Sequence, residues 1–169
     1  MIAKKVLPLL LLFTATQGSI AQRLQLIVFM SETCPICKSV TSELCRIDET
    51  YPDSLLSITA YFPARTAPKK ETLSQFARKY KLGFDLRPDS NFTNAKHFNA
   101  KVTPEAILID VSTNRIVYRG MIDDSFASVG KRRTVVKNQY LRNAIESWRN
   151  GEMPQISETQ PVGCIIQYP

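Results

Sequence analysis

The sequence predicts an α/β fold built on a largely parallel sheet, and two observations predict it. Leu24-Gln25-Leu26-Ile27-Val28-Phe29-Met30 is a nearly continuous apolar run, the pattern of a strand buried on both faces. Directly after it, from Pro35, apolar residues recur at helical spacing, and a second strand-like run, Leu55 to Phe62, follows. Strand, helix and strand in that order imply a right-handed crossover and parallel pairing.

The elements follow in order. Cys37, Val40, Leu44 and Ile47 share one helical stripe, which ends near Tyr51-Pro52 because proline disfavours helix in the residue before it. After the second strand, Pro63 to Pro68 reads as a proline-rich loop. Leu73, Phe76, Ala77 and Tyr80 mark a second helix, with Gly83 as its expected stop. Phe84 to Leu86 reads as a short strand and Asn91 to Phe98 as a short helix. Ala106 to Asp110 and Ile116 to Arg119, separated by Ser112-Thr113-Asn114, predict an antiparallel hairpin. Leu141, Ala144, Ile145 and Trp148 form the last helix, closed by Asn150-Gly151, and Met153 to Pro169 is a tail without clear periodicity. There is no internal repeat and no linker rich enough to divide the chain.

At 169 residues and 44% hydrophobic composition the chain supports one domain with a real core. Residues 1–21 have a positive start at Lys4-Lys5, an apolar run from Val6 to Phe13 and small residues before Ala21, which reads as a cleaved signal peptide. The apolar run is far short of the roughly 20 residues needed to span a bilayer, so no stable membrane insertion is expected after cleavage. The expected organisation is thus a signal peptide over 1–21, a domain over 22–150 and a tail over 151–169 bearing Cys164. The net charge is +7, two of it from Lys4 and Lys5, and no basic run exceeds Lys131-Arg132-Arg133. Nucleic-acid binding therefore has little support, and that run reads as a solvated loop or a docking surface for an acidic partner.

Chemistry concentrates at Cys34-Pro35-Ile36-Cys37, on the junction of the first strand and first helix. With Cys34 near the N-cap and Pro35 at the first helical position, free N–H groups and the positive helix end favour a thiolate. A thiol with a pKa near 8.5 is only about 3% ionised at pH 7, whereas one lowered to roughly 7 is about half ionised. One helical turn brings Cys37 back toward Cys34. Cys34 is accordingly expected to attack and Cys37 to resolve the mixed disulfide. The competing readings are a metal site and a structural disulfide. A closed zinc site asks for four ligands, and neither a second C-x-x-C nor a His pair accompanies this one. No metal or other cofactor is expected.

The remaining candidates carry weaker signals. Cys45 lies eleven residues beyond Cys34, roughly 16 Å along a helix, so it reads as a buried thiol or a partner for Cys164. Cys164, in Val162-Gly163-Cys164-Ile165-Ile166, is open to three readings: an internal partner that resolves or protects Cys34, a staple, or a free thiol. His97 reads as a surface or core histidine. Glu105 and Asp110 read as a loop acid and a strand-end turn acid, with proton transfer near the cysteines as the alternative. Asn91-Phe92-Thr93 fits a glycosylation sequon, which matters only in a eukaryotic source.

On Cys34-Pro35-Ile36-Cys37 and on Val102-Thr103-Pro104, the chain from Leu24 to Trp148 resembles the thioredoxin-like superfamily. Within it, the chain looks most like exported bacterial redoxins related to alkyl hydroperoxide reductase and thiol-specific antioxidant proteins. The resemblance implies a three-layer sandwich, a central mixed β-sheet flanked by helices. It also implies a cis Thr103-Pro104 peptide facing the redox pair, whose backbone holds substrate in extended form. The implied activity is thiol–disulfide exchange between Cys34/Cys37 and protein thiols or disulfides, with a redox partner protein, in the bacterial periplasm. The chain departs from thioredoxins proper, which have Trp where Thr33 stands and Gly-Pro where Pro35-Ile36 stand. A thiol peroxidase is the alternative enzyme, although peroxiredoxins carry proline where this chain has Ile27. The non-enzymatic alternative is a copper-handling or redox-sensing module, whose best-known members space their cysteines by three residues.

Overall fold

The computed structural model describes residues 23–66 and 68–169, and the expected signal peptide over 1–21 lies outside them. Five strands form the central sheet: β1 (Leu24–Phe29), β2 (Leu56–Ala64), β3 (Asp85–Ser90), β5 (Glu105–Asp110) and β6 (Arg115–Gly120), in the order β3-β2-β1-β5-β6. β1, β2 and β3 are parallel, while β5 and β6 run antiparallel to their neighbours, so the sheet is mixed.

The alternation of side chains along β1 divides the core into two layers. Leu24, Leu26 and Val28 pack toward α1 (Pro35–Thr50), α2 (Lys70–Tyr80) and α4 (Tyr140–Arg149), together with Leu44, Phe76 and Leu141. Ile27 and Phe29 pack on the opposite side with Ile107, with Phe92 and Ala95 around α3 (Thr93–His97), and with Ile166 from the tail. Helices thus cover both faces, and the expected three-layer arrangement is observed.

Several boundaries differ from the sequence reading. Pro63 and Ala64 belong to β2, not to a loop, and pair with Asp89 and Ser90 of β3. Pro63 is tolerated there because β1 ends at Phe29, opposite Tyr61, leaving that end of β2 paired on one side. β3 likewise extends to Ser90, well past Leu86, and contains Pro88 on the sheet edge. α2 ends at Lys81, which takes the left-handed conformation (φ 56°) while Leu82 N–H donates to Ala77 O, so Gly83 is not the stop. The 131–133 basic run lies in an exposed hairpin of β7 (Phe126–Ser128) and β8 (Lys131–Arg132).

The tail is more ordered than its composition implied. Thr159 Oγ1 lies 2.7 Å from Tyr118 Oη and accepts from Met121 N–H at 2.8 Å. Gly120 (φ +132°) lets Thr159 pass close by, since a Cβ there would lie 2.9 Å from Thr159 N. Beyond this anchor, β9 (Cys164–Ile165) pairs antiparallel with β4 (Val102–Thr103), in register Val102↔Ile165 and Thr103↔Cys164. Burial of Ile166 contributes about 1.5–3 kcal/mol to this docking.

Candidate active site

The chain leaves β1 through Met30, whose N–H donates to Tyr61 O at 2.8 Å, and turns at Ser31–Thr33. Ser31 Oγ accepts from Thr33 N–H at 3.3 Å, fixing that turn. Cys34 follows as the N-cap of α1 in extended conformation, with Pro35 opening the helix. No side-chain hydrogen bond caps this helix end, and as its N-cap residue Cys34 stands next to the positive pole. The location is the one expected for a thiol with a stabilised anion.

Thr103-Pro104 is a cis peptide, and the Thr103 carbonyl oxygen sits 3.3 Å from Cys34 Sγ. The C-terminal tail closes the site from outside. Cys34 is disulfide-bonded to Cys164, 130 residues away in sequence with a Cα–Cα distance of 6.3 Å. Cys37 carries a free thiol in the first turn of α1. The structure therefore brings together all four residues singled out for the site, Cys34, Cys37, Thr103 and Pro104, and adds Cys164. Cys45 is free and half-buried, its sulfur 3.4 Å from each of the Tyr80 and Lys81 carbonyl oxygens, either of which can accept its single proton. A Cys45–Cys164 pairing is overturned, because β9 delivers Cys164 to Cys34.

The two inner sulfurs differ in character. Cys34 is 2% exposed and held in the disulfide. Cys37 is fully buried, and burial pushes its thiol up to about 12, against the opposing effect of a Ser31 N–H donated at 3.3 Å. Cys37 is consequently a protonated thiol in this arrangement, and it becomes nucleophilic only when the cover over it loosens. A groove of about 570 Å³ flanks the Cys164 side, bounded by Ser31, Thr33, Arg65, Phe92 and Thr103 with the tail itself as one wall.

The other candidates fall away from the sulfurs. Asp110 sits at the opposite end of the sheet, paired with Leu24, where it accepts from Ser112 N–H at 2.9 Å and Trp148 Nε1 at 3.3 Å. Proton transfer to the cysteines is therefore outside its reach. Glu105 is 2% exposed in β5, and its carboxylate accepts from Lys101 N–H and Arg119 Nε at 2.8 Å each. It holds the loop that carries Thr103-Pro104. His97 is exposed, edge-on to Phe98. Among the described residues no group of three or more His, Cys, Asp or Glu side chains is placed to hold a metal ion, and no helix is long and apolar enough to cross a membrane. Sequence reasoning missed the Glu105–Arg119 pair and the strand character of the tail. The second had a signal in Cys164-Ile165-Ile166, an apolar patch inside a polar segment.

No protein-family model and no curated protein sequence matches this chain. Solved structures do. A hypothetical protein of Sinorhizobium meliloti 1021 superposes with a TM-score of 0.75 at 24% identity, over 88% of this chain and 81% of that one. An uncharacterized conserved protein of Geobacillus kaustophilus gives 0.76 at 23% identity, over 89% and 80%. A secreted Mycobacterium tuberculosis disulfide oxidoreductase homologous to Escherichia coli DsbE gives 0.54 at 13% identity, over 73% and 81%. A mixed five-stranded sheet with helices on both faces, a cis-proline opposite the opening turn of α1 and these structural neighbours together show a thioredoxin-like fold.

Proposed function

We propose that this chain is an exported thiol–disulfide oxidoreductase in which Cys34 exchanges disulfides with protein thiols and Cys37 resolves the mixed disulfide. One observation carries the reading: Cys34 caps α1 beside the cis Thr103-Pro104 peptide, already in a disulfide, with a second thiol in the first turn of the same helix. That geometry stabilises Cys34 as a leaving thiolate and keeps an internal nucleophile close by. Thr103 and Pro104 line the face along which a substrate strand lies. The redox activity and secretion named for the Mycobacterium tuberculosis neighbour point the same way, as do the features of a cleaved signal peptide in residues 1–21. The compartment proposed is the bacterial periplasm, and the partners are protein thiols or disulfides together with a redox protein that resets the site. Kinship with the redoxins related to alkyl hydroperoxide reductase and thiol-specific antioxidant proteins belongs to the same proposal.

The test is reduction of insulin or a small chromogenic disulfide in the presence of a dithiol. Cys34→Ser abolishes turnover, and Cys37→Ser combined with Cys164→Ser, which removes the tail thiol bonded to Cys34, accumulates mixed disulfides on Cys34. Retained turnover in Cys34→Ser overturns the proposal.

A further inference from the structure

The tail sits against the site as a peptide, bonded through its cysteine and paired through its backbone. Cys164 is joined to Cys34, and β9 runs antiparallel to β4 with Thr103 opposite Cys164. A mixed disulfide between Cys34 and any extended cysteine peptide pairing with Thr103 would present the same bond and the same ladder. Each residue around Cys164 meets a distinct environment. Gly163 is buried against the strand, and an added Cβ there would lie 2.6 Å from the Thr103 carbonyl carbon and 3.1 Å from Pro104 N. Those neighbours are backbone atoms of the cis-proline segment and do not swing aside. Ile165 is 77% exposed, whereas Ile166 is 7% exposed among Ile27, Phe29 and Phe92. On the other side of the glycine, Val162 packs near Ile36, Val40 and Pro104.

From this arrangement we infer that residues 162–166 are a tethered image of the substrate. The groove beside Cys34 takes extended cysteine peptides with glycine immediately before the cysteine, an aliphatic residue two places after it and little preference between them. The inference rests on the proposed exchange at Cys34 and adds the substrate class. The tail makes way by an exchange that balances within the chain. When the tail strand loosens and admits water to Cys37, that thiol loses its proton to solvent and its thiolate attacks Cys34 Sγ, so that the Cys34–Cys37 bond forms as Cys34–Cys164 breaks. The bonding pair leaves on the Cys164 sulfur, which takes up a proton. The number of disulfides is unchanged and no outside oxidant is consumed. An incoming peptide thiolate then attacks Cys34 Sγ, displaces Cys37 and occupies the place the tail has left.

The experiment uses the full chain carrying Cys37→Ser and Cys164→Ser, which leaves Cys34 as the one thiol at the site. Its reaction is followed with synthetic peptides whose cysteine is bonded to thionitrobenzoate. The probes are Pro-Val-Gly-Cys-Ile-Ile-Gln, the same peptide with alanine for glycine, the same peptide with aspartate for the second isoleucine, and glutathione thionitrobenzoate disulfide as the reference. Release of thionitrobenzoate gives the rates, and peptide mapping confirms attachment to Cys34. The alanine and aspartate peptides are each expected to react about tenfold more slowly than the parent, the discrimination a filled contact commonly supplies. Equal rates for the three peptides, with normal reaction of Cys34, overturn the inference and leave the exchange chemistry standing. No reaction with any probe, glutathione included, removes Cys34 as the reacting thiol and overturns both. A second measurement needs no peptide. In the chain with all its cysteines, Gly163→Ala shifts the Cys34–Cys164 to Cys34–Cys37 ratio about tenfold toward Cys34–Cys37 in non-reducing mapping, and an unchanged ratio counts against the inference.

Discussion

Arg119 and Glu105 face each other across β5 and β6, Nε donating to Oε1 at 2.8 Å, while the same guanidinium reaches Phe98 O and the same carboxylate accepts from Lys101 N–H. One ion pair thus secures both ends of the loop leading to Thr103-Pro104. Glu105→Ala takes the acceptor from Lys101 N–H and from a partly buried Arg119, and is expected to cost about 1–3 kcal/mol, read as a lowered urea midpoint. Glu105→Gln keeps the shape and part of the bonding, so it costs less. Equal and small losses for both would show that the pair does not hold this loop.

Reduction of the Cys34–Cys164 disulfide opens a 130-residue loop in the unfolded chain. Chain entropy alone then predicts a loss of about 5 kcal/mol, offset in part by relaxation of the native tail. Thermal melts with and without a dithiol measure it. Cys164→Ala should reproduce the loss, and Cys45→Ala, which breaks no disulfide, should not.

Burial holds the Cys37 thiol far above its ordinary range, at about 12. In the unfolded chain this group ionises near 8.5, so between the two values the unfolded state binds fewer protons than the folded one. The Cys37 contribution is therefore whole below about pH 8.5 and drains away as the pH rises toward 12. In the native protein at pH 8, iodoacetamide is expected to label Cys45 well before Cys37, with mass mapping as the readout. Prompt labelling of Cys37 would contradict the burial.

Asp124 behaves in the opposite sense. Burial pushes its carboxyl up, but N–H groups of Asn138 and Lys137 and the Asn138 side-chain amide together outweigh that and hold it below the ordinary carboxylate range. The unfolded state binds more protons in the acid window, so this contribution is full above about pH 5 and is lost as the pH falls through 3.9 and below. Asp124→Ala strands these donors and is expected to cost about 1–3 kcal/mol at pH 7. The cost should shrink in acid, as urea titrations at pH 7 and pH 3 would show.

The sheet was legible because its strands announce themselves. Leu24 to Phe29 is apolar on both faces, and Pro35 and Pro52 bracket α1 as an initiator and a terminator. Cys34, Cys37, Thr103 and Pro104 were legible as types at meaningful places. The Cys34–Cys164 bond was only one of several pairings open, since four cysteines in sequence carry no distances. Pro63 misled because proline is excluded from the middle of a ladder but not from a strand end with a free side, the setting it has in β2. Arg119 and Glu105 were silent because a charged residue in a short strand looks solvated until its partner is found across the hairpin.

Thr159 remains clamped by Tyr118 and Met121, and Cys164 lies five residues farther on. A freed Cys164 can therefore wander no more than roughly 18 Å from that anchor. Its local concentration at Cys34 is then of millimolar order, as for a ligand on a short leash. An outside peptide must outbid that leash, so the protein should ignore scarce or ill-fitting thiols and answer only to abundant or well-matched ones.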